Sequence, residues 1–231
     1  MYFVLVASLP DKSMRSMNNK ALIKIHKDTF LNHQIKNILK INKQAKLLVV
    51  CAFEHRRILE SAIKSPRVRY IEHNYDEYSN VGQSIVSVID EIPDNQDVVF
   101  INLPMVVEPN ILKNIKPNQS SVIVNSSLRF KSKIGCTIDT KNFIEFVFYD
   151  LPNKLCECLY IKKGDLGQFK YIIKNHTKNN MYLFEIINTV VSHHLNISVH
   201  RIKQNIIHFN TIDQITNINH LYKKIYNNVS I

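Results

Sequence analysis

Short runs of consecutive apolar residues alternate with stretches of helical spacing through the first half of this chain, and that alternation leaves few architectures open. The runs lie at residues 2–7 (Tyr-Phe-Val-Leu-Val-Ala), 47–52 (Leu-Leu-Val-Val-Cys-Ala), 68–72, 98–101 (Val-Val-Phe-Ile) and 122–124. Between the first two, Phe30, Leu31, Ile35, Ile38 and Leu39 recur at helical spacing, with Asp28 or Thr29 placed to cap the helix. Further helices are expected over 54–64 and over 83–92, the latter preceded by Asn80, and Pro109 suits the first turn of another. Strands that are apolar at every position are covered on both faces, so the pattern predicts an α/β fold with a mostly parallel sheet and helices on each side.

The second half changes character. Residues 133–139, 143–149 and 155–161 read as short strands joined by turns, an antiparallel addition to the sheet. Helices follow near 165–174 and 182–194, a strand returns at 197–202, and a closing helix over 211–226 carries Ile212, Ile215, Ile218, Leu221, Tyr222 and Ile225 on one side. There is no internal repeat, and with only Gly82, Gly135, Gly164 and Gly167 as glycines no linker stands out. Residues 1–231 are therefore read as one domain with a first half at 1–127 and a second at 128–231.

The formal charge of +11 favours an anionic partner, yet the basic residues are spread along the chain without a tail or block. Cys51, Cys136, Cys156 and Cys158 lack the paired spacing of a zinc site or the regularity of a disulfide framework, and read as reduced core thiols. The apolar run at 2–7 is too short to cross a membrane and lacks the cleavage site expected after a secretory signal, so a cytoplasmic protein without a membrane partner is expected. The oligomeric state is open between a monomer and a homo- or hetero-oligomer.

The strand at 2–7 runs directly into a loop that holds Ser8, Arg15 and then Lys20. A buried strand feeding a cationic loop is where many α/β proteins hold nucleotide phosphates. In order along the chain come Val4-Leu-Val-Ala7, Arg15, Lys20-Ala-Leu-Ile, Asn80-Val-Gly82-Gln-Ser84-Ile, Val98-Val-Phe-Ile-Asn102-Leu-Pro104, Tyr182-Leu-Phe-Glu185-Ile-Ile-Asn188 and Phe209-Asn210-Thr211-Ile-Asp213. This order resembles the nucleotidyltransferases of the GT-A type, the sugar-phosphate and phosphocholine nucleotidylyltransferases, over nearly the whole chain. The resemblance implies a Rossmann-like sheet with an antiparallel C-terminal part. It also implies transfer of a nucleoside monophosphate from a nucleoside triphosphate to a small phosphorylated acceptor such as a sugar phosphate, with release of pyrophosphate. Arg15 would clamp the leaving phosphates with its planar fork, and Lys20 would stabilise charge nearer the α-phosphate. Ala7, Ser8, Gly82, Ser84, Asn102 and Glu185 fall at positions implied to contact substrate, with Gly82 letting backbone approach the nucleoside and Ser84 adding a hydroxyl.

The chain departs from the family pattern at the two positions where the resemblance implies a Mg2+-binding aspartate; these carry Asn102 and Asn210. An amide oxygen is a neutral and weaker ligand for a hard dication than a carboxylate. The first loop also lacks every glycine of the pattern. Two readings of activity follow. In one, an active enzyme holds its metal through other carboxylates, with Asp11, Glu108 and Asp213 nearest in sequence. In the other, a pseudoenzyme binds nucleotide without turnover or supports a partner subunit. A basic nucleic-acid- or protein-binding module is the rival from another class, but Tyr70, Tyr149 and Tyr160 fall in strand-like runs rather than among clustered cations, so nucleic acid is disfavoured. His193-His194 ends a helix, where imidazoles suit the helix dipole.

Overall fold

Thr29 opens the first long helix: its hydroxyl accepts a hydrogen bond from the Asn32 N–H at 3.2 Å, which satisfies one of the orphan donors of the first turn. The computed structural model describes residues 1–7, 19–25, 27–52, 54–74, 80–103, 105–107, 109–113, 115, 118–126, 132–203 and 206–208. In chain order its elements are β1 (Tyr2–Val6), a 3-10 turn (Lys20–Leu22), β2 (Lys24–Ile25), β3 (Asp28–Thr29), α1 (Phe30–Ile41), β4 (Lys46–Cys51), α2 (His55–Glu60) and β5 (Val68–Glu72). Then come α3 (Val81–Val88) running into a 3-10 turn (Ile89–Glu91), β6 (Val98–Asn102), β7 (Met105–Val106), α4 (Pro109–Lys113) and β8 (Ser121–Asn125). The second half adds β9 (Ile134–Ile138), β10 (Ile144–Tyr149), β11 (Asn153–Ile161), α5 (Lys163–His176), α6 (Leu183–Ser192), β12 (Ser198–Ile202) and β13 (Ile207–His208).

The main sheet runs β10-β9-β11-β6-β1-β4-β5, with β8 beside β11 and β12 beside β8. The β6-β1-β4-β5 half is parallel, as the apolar runs predict, and β11 enters antiparallel next to β6. Alternate residues of each strand feed two cores. Val4, Val6, Phe100, Leu159 and Ile161 pack with Phe169 of α5 and Ile186 of α6 on one face. Phe3, Leu5, Ile101 and Tyr160 pack with Leu31 and Ile38 of α1 on the other. Full burial of each such side chain contributes about 1.5–3 kcal/mol, so a strand apolar on both faces is held from both sides.

Several boundaries differ from the sequence expectation. Helix α2 stops at Glu60 rather than at residue 64, and α3 begins at Val81 behind the cap Asn80, then tightens to 3-10 geometry after Val88. The helix expected over 211–226 lies outside the described residues. All four cysteines are buried free thiols; burial pushes Cys158 up to about 12 and Cys51 and Cys136 up to about 11, which keeps them protonated at neutral pH.

Strand β10 is a sheet edge, and its outward backbone is occupied in an unusual way. The Asn188 carboxamide on α6 accepts from the Val147 N–H at 2.8 Å and donates to the Val147 carbonyl at 2.8 Å, imitating a neighbouring strand. Asn188→Ala therefore strands both groups at a half-buried position. The expected cost is about 1–3 kcal/mol, measured as a lowered urea midpoint at unchanged m-value.

Candidate functional site

The C-terminal ends of β1 and β6 lie side by side, with Val6 in register with Asn102. The sheet continues briefly past both strands: Ala7 N–H donates to the Val50 carbonyl at 2.8 Å, and Leu103 N–H donates to the Val6 carbonyl at 3.1 Å. Asn19, buried to 2% exposure, is fastened to this edge. Its amide donates to the Ala7 carbonyl at 2.6 Å, its oxygen caps the 3-10 turn by accepting from Ala21 N–H at 2.9 Å, and its own N–H donates to Glu54 Oε2 at 2.6 Å. The next residue, Lys20, is thereby held at the strand ends with only 8% of its surface exposed.

Opposite Lys20 stands a residue that the sequence reading passed over. Strand β11 pairs antiparallel with β6, Cys158 facing Ile101, so the next rung sets Glu157 against Asn102. Asn102 Nδ2 donates to Glu157 Oε2 at 2.7 Å. Burial pushes the Glu157 carboxyl up from its ordinary value, while the Asn102 hydrogen bond and the nearby Lys20 charge pull it down. The signal was present in the strand: Leu155, Leu159 and Ile161 form one apolar stripe, and Glu157 interrupts it at the shared period of two. Cys156 and Cys158 point the other way, into the second core.

Asn102 and Glu157 line a cavity of about 200 Å³ whose other walls include Lys133, Tyr149, Tyr182 and Phe184. The aromatic wall is continuous: Tyr182 stacks on Phe184 with ring centroids 5.8 Å apart, and Tyr149 meets Phe184 edge-on at 5.6 Å. Tyr149 and Tyr182 are 46% and 53% exposed, so their faces are open to a ligand. Tyr160, by contrast, is buried, and Tyr70 donates its hydroxyl to the Ile63 carbonyl at 3.3 Å. Thus Tyr149 belongs to an open wall rather than to the core.

The remaining sequence candidates have varied placements. Ala7 is buried at the strand end, with its carbonyl engaged by Asn19. Gly82 opens α3 against residues 177–181: its N–H donates to the Met181 carbonyl, and a Cβ there would sit 2.4 Å from the Lys178 carbonyl oxygen. Glycine is thus required for packing, and its bare side is turned to that backbone. Ser84 is fully buried and hydrogen-bonds His73 Nε2 at 3.2 Å, so its hydroxyl serves the α3–β5 contact; burial holds the His73 imidazole below its ordinary value. Glu185 caps α6, accepting from the Tyr182 N–H at 2.7 Å. Its carboxylate positions the tyrosine rather than entering the cavity lining. Ser8, Arg15 and Asn210 lie outside the described residues, as do Asp11, Glu108 and Asp213.

Among the described residues no group of three or more His, Cys, Asp or Glu side chains could hold a metal ion. The donor set is one carboxylate, Glu157, and one carboxamide, Asn102, meeting at a cavity. Mg2+ takes one or two carboxylates and completes its shell with water and substrate phosphate, so this pair fits a cation that arrives with a nucleotide. No helix among the described residues is long and apolar enough to cross a membrane.

No protein-family model matches the chain, and no curated protein matches it significantly. Solved structures do. The inositol-1-phosphate CTP transferase from T. maritima superposes with a TM-score of 0.78 at 12% identity over 100% of this chain and 98% of its own. HddC from Yersinia pseudotuberculosis, complexed with GMP-PN, gives 0.73 at 13% identity over 96% and 99%. The CTP:phosphocholine cytidylyltransferase from Streptococcus pneumoniae gives 0.72 at 10% identity over 96% and 98%. At these identities the likeness is one of fold: the chain shares the mixed α/β architecture of these solved structures over nearly its whole length.

Proposed function

We propose that this chain is a nucleotidyltransferase that moves a nucleoside monophosphate from a nucleoside triphosphate to a small phosphorylated acceptor such as a sugar phosphate. The reading is carried by one observation: a buried lysine, an amide and a carboxylate converge beside an aromatic-walled cavity at the C-terminal ends of β1 and β6. In an open α/β sheet that end of the strands is the ligand-binding end.

In the reaction an acceptor phosphate oxygen attacks the α-phosphorus. The new P–O bond forms as the bond to the bridging oxygen of the β-phosphate breaks, and pyrophosphate leaves with that electron pair. Lys20, held nearly dry by Asn19, supplies fixed positive charge where negative charge spreads in the transition state. Arg15, which follows β1 in sequence, is assigned to the leaving phosphates, and Ala7 and Ser8 to the nucleotide. A divalent cation, when bound, neutralises phosphate charge, with Asn102 and Glu157 the described residues placed to hold it and Asn210 a further candidate. Lys133 is set at the cavity wall for the acceptor phosphate, and Tyr149 and Tyr182 offer flat faces to the rest of the acceptor.

A second reading, nucleotide binding without turnover, is favoured by the amide at Asn102. One experiment separates the two: calorimetric titration with each of the four ribonucleoside triphosphates, with and without Mg2+, followed by pyrophosphate release against sugar 1-phosphates, inositol 1-phosphate and phosphocholine. The expected result is Mg2+-dependent binding of one nucleotide and pyrophosphate release with one acceptor class. Tight binding with no release across the panel selects the second reading, and no binding at all removes both.

A further inference from the structure

We infer that Glu157, on β11 beside the end of β6, is the carboxylate through which this chain holds a divalent cation. The inference rests on the nucleotidyltransferase reading for its context and on three observations for its content. First, the β6–β11 register makes Asn102 and Glu157 a cross-strand pair, joined by a 2.7 Å hydrogen bond in which the amide is the donor. Such directly opposed side chains lie about 4.5–5.5 Å apart at Cβ, so a ligand that reaches one reaches the other. Second, with Nδ2 turned to Glu157, the Asn102 oxygen remains as an acceptor, and Glu157 keeps a second oxygen; together they offer a hard cation one charged and one neutral donor. Third, Glu157 occupies an apolar stripe between Leu155 and Leu159 and still lines the cavity. Burying a carboxylate in such a stripe is costly unless a cation compensates it. Lys20 provides part of that compensation, and a dication carried in by nucleotide phosphates provides more.

An asparagine at the end of β6 is then a partner and not a defect. A carboxylate at both positions would place two negative charges on one rung of the sheet, where like charges directly opposite each other are destabilising. With the acid on β11, an amide on β6 is the side chain that can hydrogen-bond it without repulsion.

The test uses Mn2+ as the probe, added alone and together with a non-hydrolysable nucleoside triphosphate analogue, with the protein-bound ion followed by electron paramagnetic resonance on the intact chain. Wild type is expected to bind Mn2+. Glu157→Gln, nearly isosteric, is expected to weaken that binding by about tenfold or more, and adding Asn102→Asp to it is expected to recover most of the loss. Unchanged affinity in Glu157→Gln, or no Mn2+ binding by wild type either alone or with the nucleotide analogue, overturns the inference. Should Glu157→Gln fail to fold, wild type decides by itself: Mn2+ broadening of amide NMR signals centred on residues 101–103 and 156–158 supports the inference, and broadening centred elsewhere ends it. The measurement needs no turnover. Mn2+ bound at Glu157 by a chain that releases no pyrophosphate sinks the enzymatic reading only, whereas turnover with Glu157-independent Mn2+ binding sinks the inference only.

Discussion

Lys20→Met is expected to lower the rate of pyrophosphate release by about 10²–10³-fold while leaving the fold intact. Methionine keeps the length and the apolar stem, so packing around the 3-10 turn is largely retained, and the change isolates the ammonium. Its effect is large because the site is dry. Lys20 is 8% exposed and is fixed by Asn19, whose side chain ties the β1 terminus to the turn, so the charge is positioned before substrate arrives. In water the same charge would be screened and would reorganise; at a desolvated strand end it acts at nearly full strength. Removing it also takes away a cationic influence on Glu157, whose carboxyl then shifts further upward, with burial opposed only by the Asn102 hydrogen bond. The measurements are single-turnover rates with saturating nucleotide, alongside thermal melts. A variant that folds and turns over at the wild-type rate refutes the assignment of Lys20.

How much of this was legible in the chain depends on where each signal resides. The parallel half was legible because a strand buried on both faces must be apolar at every position, and Tyr2–Val6, Lys46–Cys51 and Val98–Asn102 are apolar almost throughout. Helix α1 was legible because its cap and its apolar spacing agree. Helix lengths were less so: α2 ends early because nothing on its sequence forces the next turn to pay for itself in burial, only Ile58 being buried. The site divides in the same way. Asn102 and Lys20 stand beside recognisable strand ends, but Glu157 comes 55 residues after Asn102, and only the antiparallel register brings them together. A motif read along the chain cannot report a cross-strand pair. The interruption of an apolar stripe by one acid was the available hint, and it named a residue without naming its partner. Gly82, Ser84 and Glu185 illustrate the converse. Their sequence context matched a substrate-binding pattern, while their atoms are engaged in packing against Lys178, bonding His73 and capping α6.

The proposed acceptor side of the cavity depends on a glycine of the antiparallel addition, and Gly135→Ala is the substitution expected to harm it most. Gly135 sits in β9 between two partners, opposite Phe148 of β10 and Lys154 of β11. A Cβ at this position would lie 2.1 Å from the Leu151 carbonyl oxygen and 2.6 Å from its carbon. Those atoms are backbone, in a turn pinned by the Asp150 N–H donating to the Lys133 carbonyl at 2.7 Å, and Asp150 already holds a left-handed φ of 56°. Neither side can yield cheaply, so the methyl must push the turn off β9 at a cost of about 1–3 kcal/mol. Lys133, Ile134 and Tyr149 flank this junction and also line the cavity, so the acceptor KM is expected to rise along with the loss of stability. Gly167→Ala is the paired control. That glycine lies inside α5, where a Cβ meets nothing within 4 Å, and alanine there is expected to stabilise the chain by about 0.4–1 kcal/mol. Urea denaturation of the two variants should move in opposite directions. A Gly135→Ala chain as stable as wild type, with unaltered acceptor use, would show that the β9–β11 junction is soft and that the cavity wall it carries is not what positions the acceptor.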